Sequence, residues 1–123
     1  MPNRLTALLA ASTASVMIAA QPAPASSFQQ ITSASEFEQV VIGHQLSRFG
    51  IRLQVTEDGE INGRAFGYSV TGDWQWRDGF FCRIMDWGGT EIPYNCQMVL
   101  RSDNSVRFVS DQGTGDSADF RLR

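Results

Sequence analysis

Two cysteines placed symmetrically about a glycine turn constrain the fold of this chain more than any other feature. Cys82 and Cys96 lie in runs that alternate between apolar and polar residues, and the turn-forming segment 86–91 lies between them. Folding the two runs back at Gly89 places the thiols opposite each other on neighbouring strands. We therefore predict a cross-strand disulfide Cys82–Cys96 in a small β-protein, which indicates an oxidising compartment.

The first residues have the features of an export signal. Arg4 gives a basic start, residues 5–20 are uncharged and mostly apolar, and residues 23–25 (Ala-Pro-Ala) resemble a signal-peptidase site. The apolar run is shorter than the roughly 20 residues of a spanning helix, which argues against a membrane anchor. We expect a cleaved signal peptide over residues 1–25, one domain over residues 26–123, and a periplasmic or secreted mature protein without a membrane anchor.

Charge excludes a nucleic-acid partner. The formal net charge is −3, and all 10 basic residues are arginines spread along the chain. Such a balance gives no basic field for nucleic acid and no polybasic patch for anionic lipid.

Hydrophobic periodicity predicts one short helix followed by a β-meander. The spacing Ser35-x-x-Glu38 is that of a capping box, and apolar residues then recur at helical spacing, which predicts a helix over about residues 35–42. The period then changes to two, which predicts strands over about residues 44–122. The expected fold is mainly β, a small antiparallel up-and-down barrel or meander of seven strands, or eight if residues 44–48 are extended.

Keeping the apolar faces together sets the register of the first hairpins. A loop over residues 57–59 pairs Val55 with Ile61. A following two-residue turn at Gly67-Tyr68 pairs Ala65 with Val70 and preserves the apolar face.

The next turn decides which residues of the following strand point inward. A two-residue Asp78-Gly79 loop would bring Arg83 onto the face that carries Trp74 and Trp76. A three-residue loop over 77–79 keeps the arginine outside, so we choose the three-residue loop. This register pairs Trp76 with Phe80, Trp74 with Cys82 and Asp73 with Arg83. It also predicts four inward side chains on the next strand: Tyr94, Cys96, Met98 and Leu100.

Several segments resemble a family of small exported alphaproteobacterial proteins of unestablished function. The matching segments are 72–76 (GDWQW), 78–83 (DGFFCR), 94–97 (YNCQ) and 111–120 (DQGTGDSADF). Some members carry the label dihydrodipicolinate reductase. Such a reductase needs a G-x-G-x-x-G turn between a strand and a helix, which this chain lacks, so we expect no cofactor.

A second resemblance concerns architecture alone. Gly72-x-Trp74 with Arg121 or Arg123 is similar to the Gly-x-Trp and late arginine that pack across one end of calycin barrels. The calycin tryptophan belongs to the first strand, whereas this one lies near the third.

Catalytic and metal-binding patterns are weak. His44 is the only histidine and no nucleophile motif accompanies it, so we expect no catalytic residue. Two groups of acidic residues are near glycines, but neither matches a calcium loop, and we expect no metal site. These groups are Asp111, Asp116 and Asp119, and Asp86 with Glu91.

The aromatic residues and the outer apolar residues lead to two functional hypotheses. Phe81, Met85, Trp87 and Val99 are apolar on the predicted outer face, which indicates a partner-binding surface. We therefore expect a non-catalytic exported protein that acts by contact with a periplasmic protein, as an interaction module or an enzyme inhibitor, since small one-disulfide barrels resemble bacterial inhibitors of proteases and lysozymes. The alternative is a carrier of a small apolar ligand, with Trp74 and Trp76 lining a hollow barrel; an enzyme of unknown type ranks third. Buried volume separates the first two, because a cavity of a few hundred cubic ångströms favours the carrier.

Overall fold

Residues 27–123 form a closed eight-stranded antiparallel barrel with one additional strand, in a computed structural model that describes residues 8–20 and 27–123. The strands are β1 (Gln29–Ile31), β2 (Gln45–Arg48), β3 (Ile51–Val55), β4 (Glu60–Ala65), β5 (Tyr68–Arg77), β6 (Phe80–Trp87), β7 (Thr90–Ser102), β8 (Ser105–Val109) and β9 (Ser117–Leu122). The helical segments are α1 (Ala34–Val41) and α2 (Ser110–Gly113). The prediction of a mainly β meander is confirmed.

The barrel is built from neighbours in sequence. Each strand from β2 to β9 pairs with the next one, and β9 pairs back onto β2 through Leu46 opposite Leu122. Residues 45–48 are extended, so the eight-strand alternative is the one formed. The additional strand β1 pairs with the last part of β7, with Ile31 opposite Val99.

The residues ahead of the barrel are only partly described. Residues 8–20 are exposed and contain neither helix nor strand. The predicted cleavage site at residues 23–25 lies outside the described residues. The signal peptide therefore stays a prediction.

Helix α1 covers one end of the barrel, which we call the helix end. Its N-cap is Ser33, whose Oγ accepts a hydrogen bond from the backbone N of Glu36 at 3.2 Å. The helix therefore starts earlier than the predicted capping box at Ser35. This start places Phe37 and Val41, both fully buried, on the side that faces the barrel.

The β3–β4 hairpin has the predicted register, and the β4–β5 hairpin does not. Val55 lies opposite Ile61 as expected. The next turn is Phe66-Gly67, with φ of 50° and 85° at its two residues, so Ala65 pairs with Tyr68 instead of Val70. Two successive positive φ values are the geometry that twisted two-residue hairpins require. The shift is two residues, so each side chain keeps its predicted face.

The prediction for the β5–β6 turn is wrong. The turn consists of Asp78 and Gly79 alone, with φ of 53° and 84°, so Trp76 lies opposite Phe81 and Trp74 opposite Arg83. Asp-Gly is the sequence that favours this turn type. Because the shift is one residue, every side chain of β6 changes face. Asp73 consequently lies opposite Ile84 and not opposite Arg83.

The β6–β7 hairpin confirms the disulfide and corrects the faces of β7. Cys82 and Cys96 lie opposite each other and are disulfide-bonded. Both point away from the interior, in contrast to the prediction, and the side chains of Tyr94, Met98 and Leu100 share that outward face. Tyr94 is 55% exposed, whereas Val99 is fully buried.

A β-bulge between the turn and the disulfide adjusts this hairpin. Met85 pairs with Ile92, but Arg83 pairs with Asn95. The extra residue lies in β7, beside Pro93, which cannot donate a ladder hydrogen bond. The bulge brings the carbonyl of Pro93 within reach of the arginine.

Candidate functional site

The barrel is hollow from its middle to the end opposite α1. A cavity of about 260 Å³ is lined by residues of α2 and of every barrel strand except β5. A second cavity of about 250 Å³ is lined by residues of β3, β4, β5, β6, β7 and β9 and reaches the β4–β5 turn at the end opposite α1. The two share three wall residues, Leu53, Met85 and Phe120, so they adjoin and together form what we call the barrel cavity.

The walls of the barrel cavity are mostly apolar. Every residue that lines the second part is apolar, and these include Ile51, Val70 and Ile92. The first part is lined by Leu46, Val55 and further apolar side chains, with a few polar groups on one side. Apolar walls with a small number of placed polar groups are typical of small-molecule sites.

Aromatic side chains surround the end of the barrel opposite α1. Phe66 and Tyr68, in and after the β4–β5 turn, are 57% and 61% exposed, and Phe49 in the β2–β3 turn is 92% exposed. Trp87 lies below them, with its ring centroid 6.4 Å from that of Phe66 and 6.1 Å from that of Tyr68. Its Nε1 donates to the Ala65 carbonyl at 2.8 Å, which fixes the ring. We call Phe49, Phe66 and Tyr68 the aromatic rim.

The polar side of the cavity contains a buried arginine. Arg83 is 8% exposed and points inward from the middle of β6. Its Nη1 donates a hydrogen bond of 2.7 Å to the Pro93 carbonyl. Burial lowers the pKa of the Arg83 guanidinium from its ordinary value, but an arginine side chain stays protonated in proteins. The cavity therefore holds a positive charge.

Segment α2 closes the wall next to this arginine. Over residues 90–97, β7 pairs with β6 on one side, and no described strand pairs with it on the other. The chain covers that edge through side-chain bonds, from Asn95 Nδ2 to Asp111 Oδ1 at 2.8 Å and from Gln97 Nε2 to Ser110 Oγ at 3.1 Å. Asp111 and Gln112 adopt left-handed φ values of 55° and 56°, so α2 is a tight turn and not a regular helix.

The four residues predicted to form an outer partner surface lie elsewhere. Phe81 is 4% exposed and Val99 is fully buried, so the prediction that they lie on the outer face is wrong. Met85 and Trp87 are half-buried and line the barrel cavity. The physical reason is the two-residue Asp78-Gly79 turn. It shifts the register of β6 by one residue, so each side chain of β6, and of β7 after its bulge, lies on the face opposite to the predicted one.

The two tryptophans predicted to line a pocket also have another role. Trp74 and Trp76 face inward as expected, but at the helix end, where the Phe37 ring packs against both at 5.2 Å between centroids. Trp74 Nε1 donates to the Thr56 carbonyl at 2.8 Å. Neither ring lines the barrel cavity, because α1 fills the space beside them.

The remaining titratable candidates are spread over the surface. His44 is exposed in the turn between α1 and β2. Asp86 accepts a hydrogen bond from the backbone N of Gly89 at 2.9 Å and lies opposite Glu91. Asp119 forms two hydrogen bonds with Arg107. Within residues 8–20 and 27–123, no group of three or more His, Cys, Asp or Glu side chains is arranged to hold a metal ion.

Arg83 is the functional candidate that the sequence reasoning missed. The signal was the Asp78-Gly79 pair, the strongest short hairpin sequence known. The competing signal is the cost of placing a charged side chain inside the barrel, which favours the three-residue loop. Arg83 is buried despite this free-energy cost, and a charged side chain buried in a cavity is a candidate for a functional site.

Comparisons with known proteins give no relative. No family model, no curated protein and no solved structure matches the chain. The resemblance to small exported alphaproteobacterial proteins therefore stays a prediction. In the described part of the chain, no helix is both long and apolar enough to cross a membrane.

Proposed function

We propose that this protein binds and carries a small, largely apolar ligand inside its barrel. The observation that carries the proposal is the barrel cavity, whose two parts of about 260 and 250 Å³ adjoin each other. Small barrels usually fill their interior with side chains, and here that happens only at the helix end, where Phe37, Trp74 and Trp76 pack together.

The surroundings of the cavity support entry of a ligand from the end opposite α1. The helix end is covered by α1, with Phe37 and Val41 fully buried. The aromatic rim lies at the other end, and large exposed apolar side chains around a cavity are characteristic of ligand entrances. The expectation of a protein partner lacks this support, since Phe81 and Val99 do not lie on the surface.

Binding of a neutral apolar probe tests the proposal. We expect decanol to bind saturably with one molecule per protein and to raise the melting temperature, because a ligand that binds only the folded state stabilises it. Native mass spectrometry of protein purified from the periplasm should show a bound apolar molecule.

Variants that fill the cavity supply the decisive comparison. Ala65 and Ala118 line its two parts, so the Ala65→Met/Ala118→Met double variant should weaken decanol binding by about tenfold or more. Gln75→Met adds the same type of side chain on the exposed outer face of β5 and should leave binding unchanged. Equal decanol affinity in the filled variant and the wild type would refute the carrier function.

A further inference from the structure

Arg83 is a buried cation with spare hydrogen-bonding capacity. A guanidinium has five N–H donors, and the hydrogen bond of Nη1 to the Pro93 carbonyl occupies one of them. No side-chain nitrogen or oxygen atom of the described residues is both buried from water and without a partner. The other nitrogen atoms of Arg83 are therefore accessible to solvent, and the side chain lines the barrel cavity.

The charge of Arg83 is not neutralised by the protein around it. Among the described residues, the ion pairs join Arg101 to Glu36 and Arg107 to Asp119, and no carboxylate pairs with Arg83. Asp116 lines the same cavity beside α2, but it is exposed and forms no ion pair with the arginine. Burying an unpaired charge costs free energy, which a paired anion would offset.

Polar groups beside Arg83 can complete an anion site. Gln97 and Ser110 line the same cavity, and Ser110 Oγ accepts a hydrogen bond from Gln97 Nε2. The Ser110 hydroxyl hydrogen is then free to donate to a bound oxygen. The carboxylate of Asp116 on the same wall disfavours a head group with two negative charges, so a single charge fits better.

We infer that Arg83 binds the head group of an amphiphile with one carboxylate, while the apolar chain of that ligand runs along Leu53, Met85 and Phe120 toward the aromatic rim. The inference rests on the proposed carrier function and adds the ligand class and its orientation. A guanidinium fork matches the two oxygens of a carboxylate, and such charge-assisted hydrogen bonds are the strong ones.

A series of ligands with one chain and different head groups tests this in the wild-type protein. Decanoate, decanol and decyltrimethylammonium have unbranched alkyl chains of nine, ten and ten carbons, so their apolar parts are closely matched. We expect decanoate to bind about tenfold or more tightly than decanol, as expected for a hydrogen bond to a charged group, and the cationic ligand to bind most weakly. The preference for decanoate should change little between low and moderate salt, because buried pairs are screened less than exposed ones.

The variant Arg83→Met replaces the cation with an apolar side chain of similar length. It should retain decanol binding, which also reports that the cavity is intact, and reduce the decanoate preference to about twofold or less. The control variant is Arg52→Met, on the exposed face of β3. It should keep the full preference.

Failure of the inference can be distinguished from failure of the carrier function. If decanol binds the wild type and decanoate binds no more tightly, or if Arg83→Met keeps the preference, the head-group site is refuted and the carrier stands. If the preference is lost in Arg52→Met or disappears with moderate salt, the anion binds at the surface and the inference is also refuted. If neither decanol nor decanoate binds, the carrier function itself is refuted.

Discussion

At the scale of single residues, the position of Arg83 shows which face of strand β6 points into the barrel. With Arg83 outside, Phe81 and Trp87 form an exposed patch. With Arg83 inside, Phe81 joins the core, and its ring lies 5.1 Å from Phe37 and 5.3 Å from Phe108 between centroids. In the second arrangement, the stabilisation from several buried aromatic contacts offsets the free-energy cost of burying one charge.

The first prediction tests this orientation through stability. Phe81→Ala should lower the free energy of unfolding by about 3–5 kcal/mol, as large truncations in a core do. Tyr94→Ala, on the outer face of β7, should change it by no more than about 0.5 kcal/mol. Denaturant titrations measure both. The reverse order would show that β6 and β7 present their other faces to the interior.

The second prediction concerns the ion pair on the outer face of β8 and β9. Arg107 Nε and Nη2 donate to Asp119 Oδ1 and Oδ2 at 2.6 and 2.9 Å. These hydrogen bonds lower the pKa of Asp119 below its ordinary value, and they raise that of Arg107. The carboxylate therefore stabilises the fold above its ordinary pKa, and this contribution is lost as the pH falls through the lowered value.

Measuring the free energy of unfolding of the wild type and of Asp119→Asn as a function of pH checks this pH dependence. The wild type should be slightly more stable than the variant at neutral pH, and the difference should shrink on acidification. The effect is small because both side chains are partly exposed. Glu57→Gln, in an exposed turn, is the control and should show no such difference. A difference that grows toward acid pH would contradict the assignment.

At the scale of elements, the β6–β7 hairpin combines a disulfide, a bulge and a cavity wall. The bond between Cys82 and Cys96 lies one residue along the strands from the pair of Arg83 and Asn95. The disulfide therefore holds together the part of the hairpin from which Arg83 points inward. The N-terminal half of β7 has a described strand on one side only, so this support is needed there more than elsewhere.

The third prediction follows from this position. Replacing both cysteines by alanine should lower the free energy of unfolding by about 3 kcal/mol, the chain-entropy value for a closed loop of this length. Alanine avoids placing a polar group at Cys82, which is 2% exposed. Denaturant titration of the wild type with reductant should give the same value as the variant without it. Two free thiols in the unreduced, unfolded wild type would disprove the bond.

At the scale of the whole molecule, the barrel has two different halves. The helix end is filled by α1, by the rings of Trp74 and Trp76, and by the buried residues around them. Beyond these residues the interior is hollow, up to the end that carries the aromatic rim. Residues 8–20 are exposed throughout and bury no side chain in the barrel. The disulfide is compatible with an exported protein.

The fourth prediction concerns the predicted signal peptide over residues 1–25. A chain that starts at residue 26 should unfold at the same denaturant concentration as the full chain, because residues 8–20 bury no side chain. In cells that export it, the protein should lose residues 1–25 and appear in the periplasmic or secreted fraction. Mass spectrometry of the exported protein measures the cleavage point, and an intact leader on the folded exported protein would contradict it.

Local patterns in the sequence predict most of the architecture, but not the additional strand β1 or the closing pair of β2 and β9. Alternation along the chain and short turns predict an antiparallel meander, and the spacing of Cys82 and Cys96 predicts their bond. These features depend on neighbouring residues and on nearby strands. The register between Val55 and Ile61 follows for the same reason.

Only the tertiary structure decided which face of β6 is buried and whether the barrel is hollow. Two effects compete at Asp78-Gly79: the Asp-Gly sequence favours a two-residue turn, and that turn requires Arg83 to be buried. The free-energy cost of burying Arg83 depends on what surrounds its side chain. In the folded barrel the arginine meets the Pro93 carbonyl and an accessible cavity. The carbonyl comes from a bulge in the neighbouring strand β7, and the cavity walls beside the arginine come from α2 and β9, which lie far along the chain. No local pattern contains this combination.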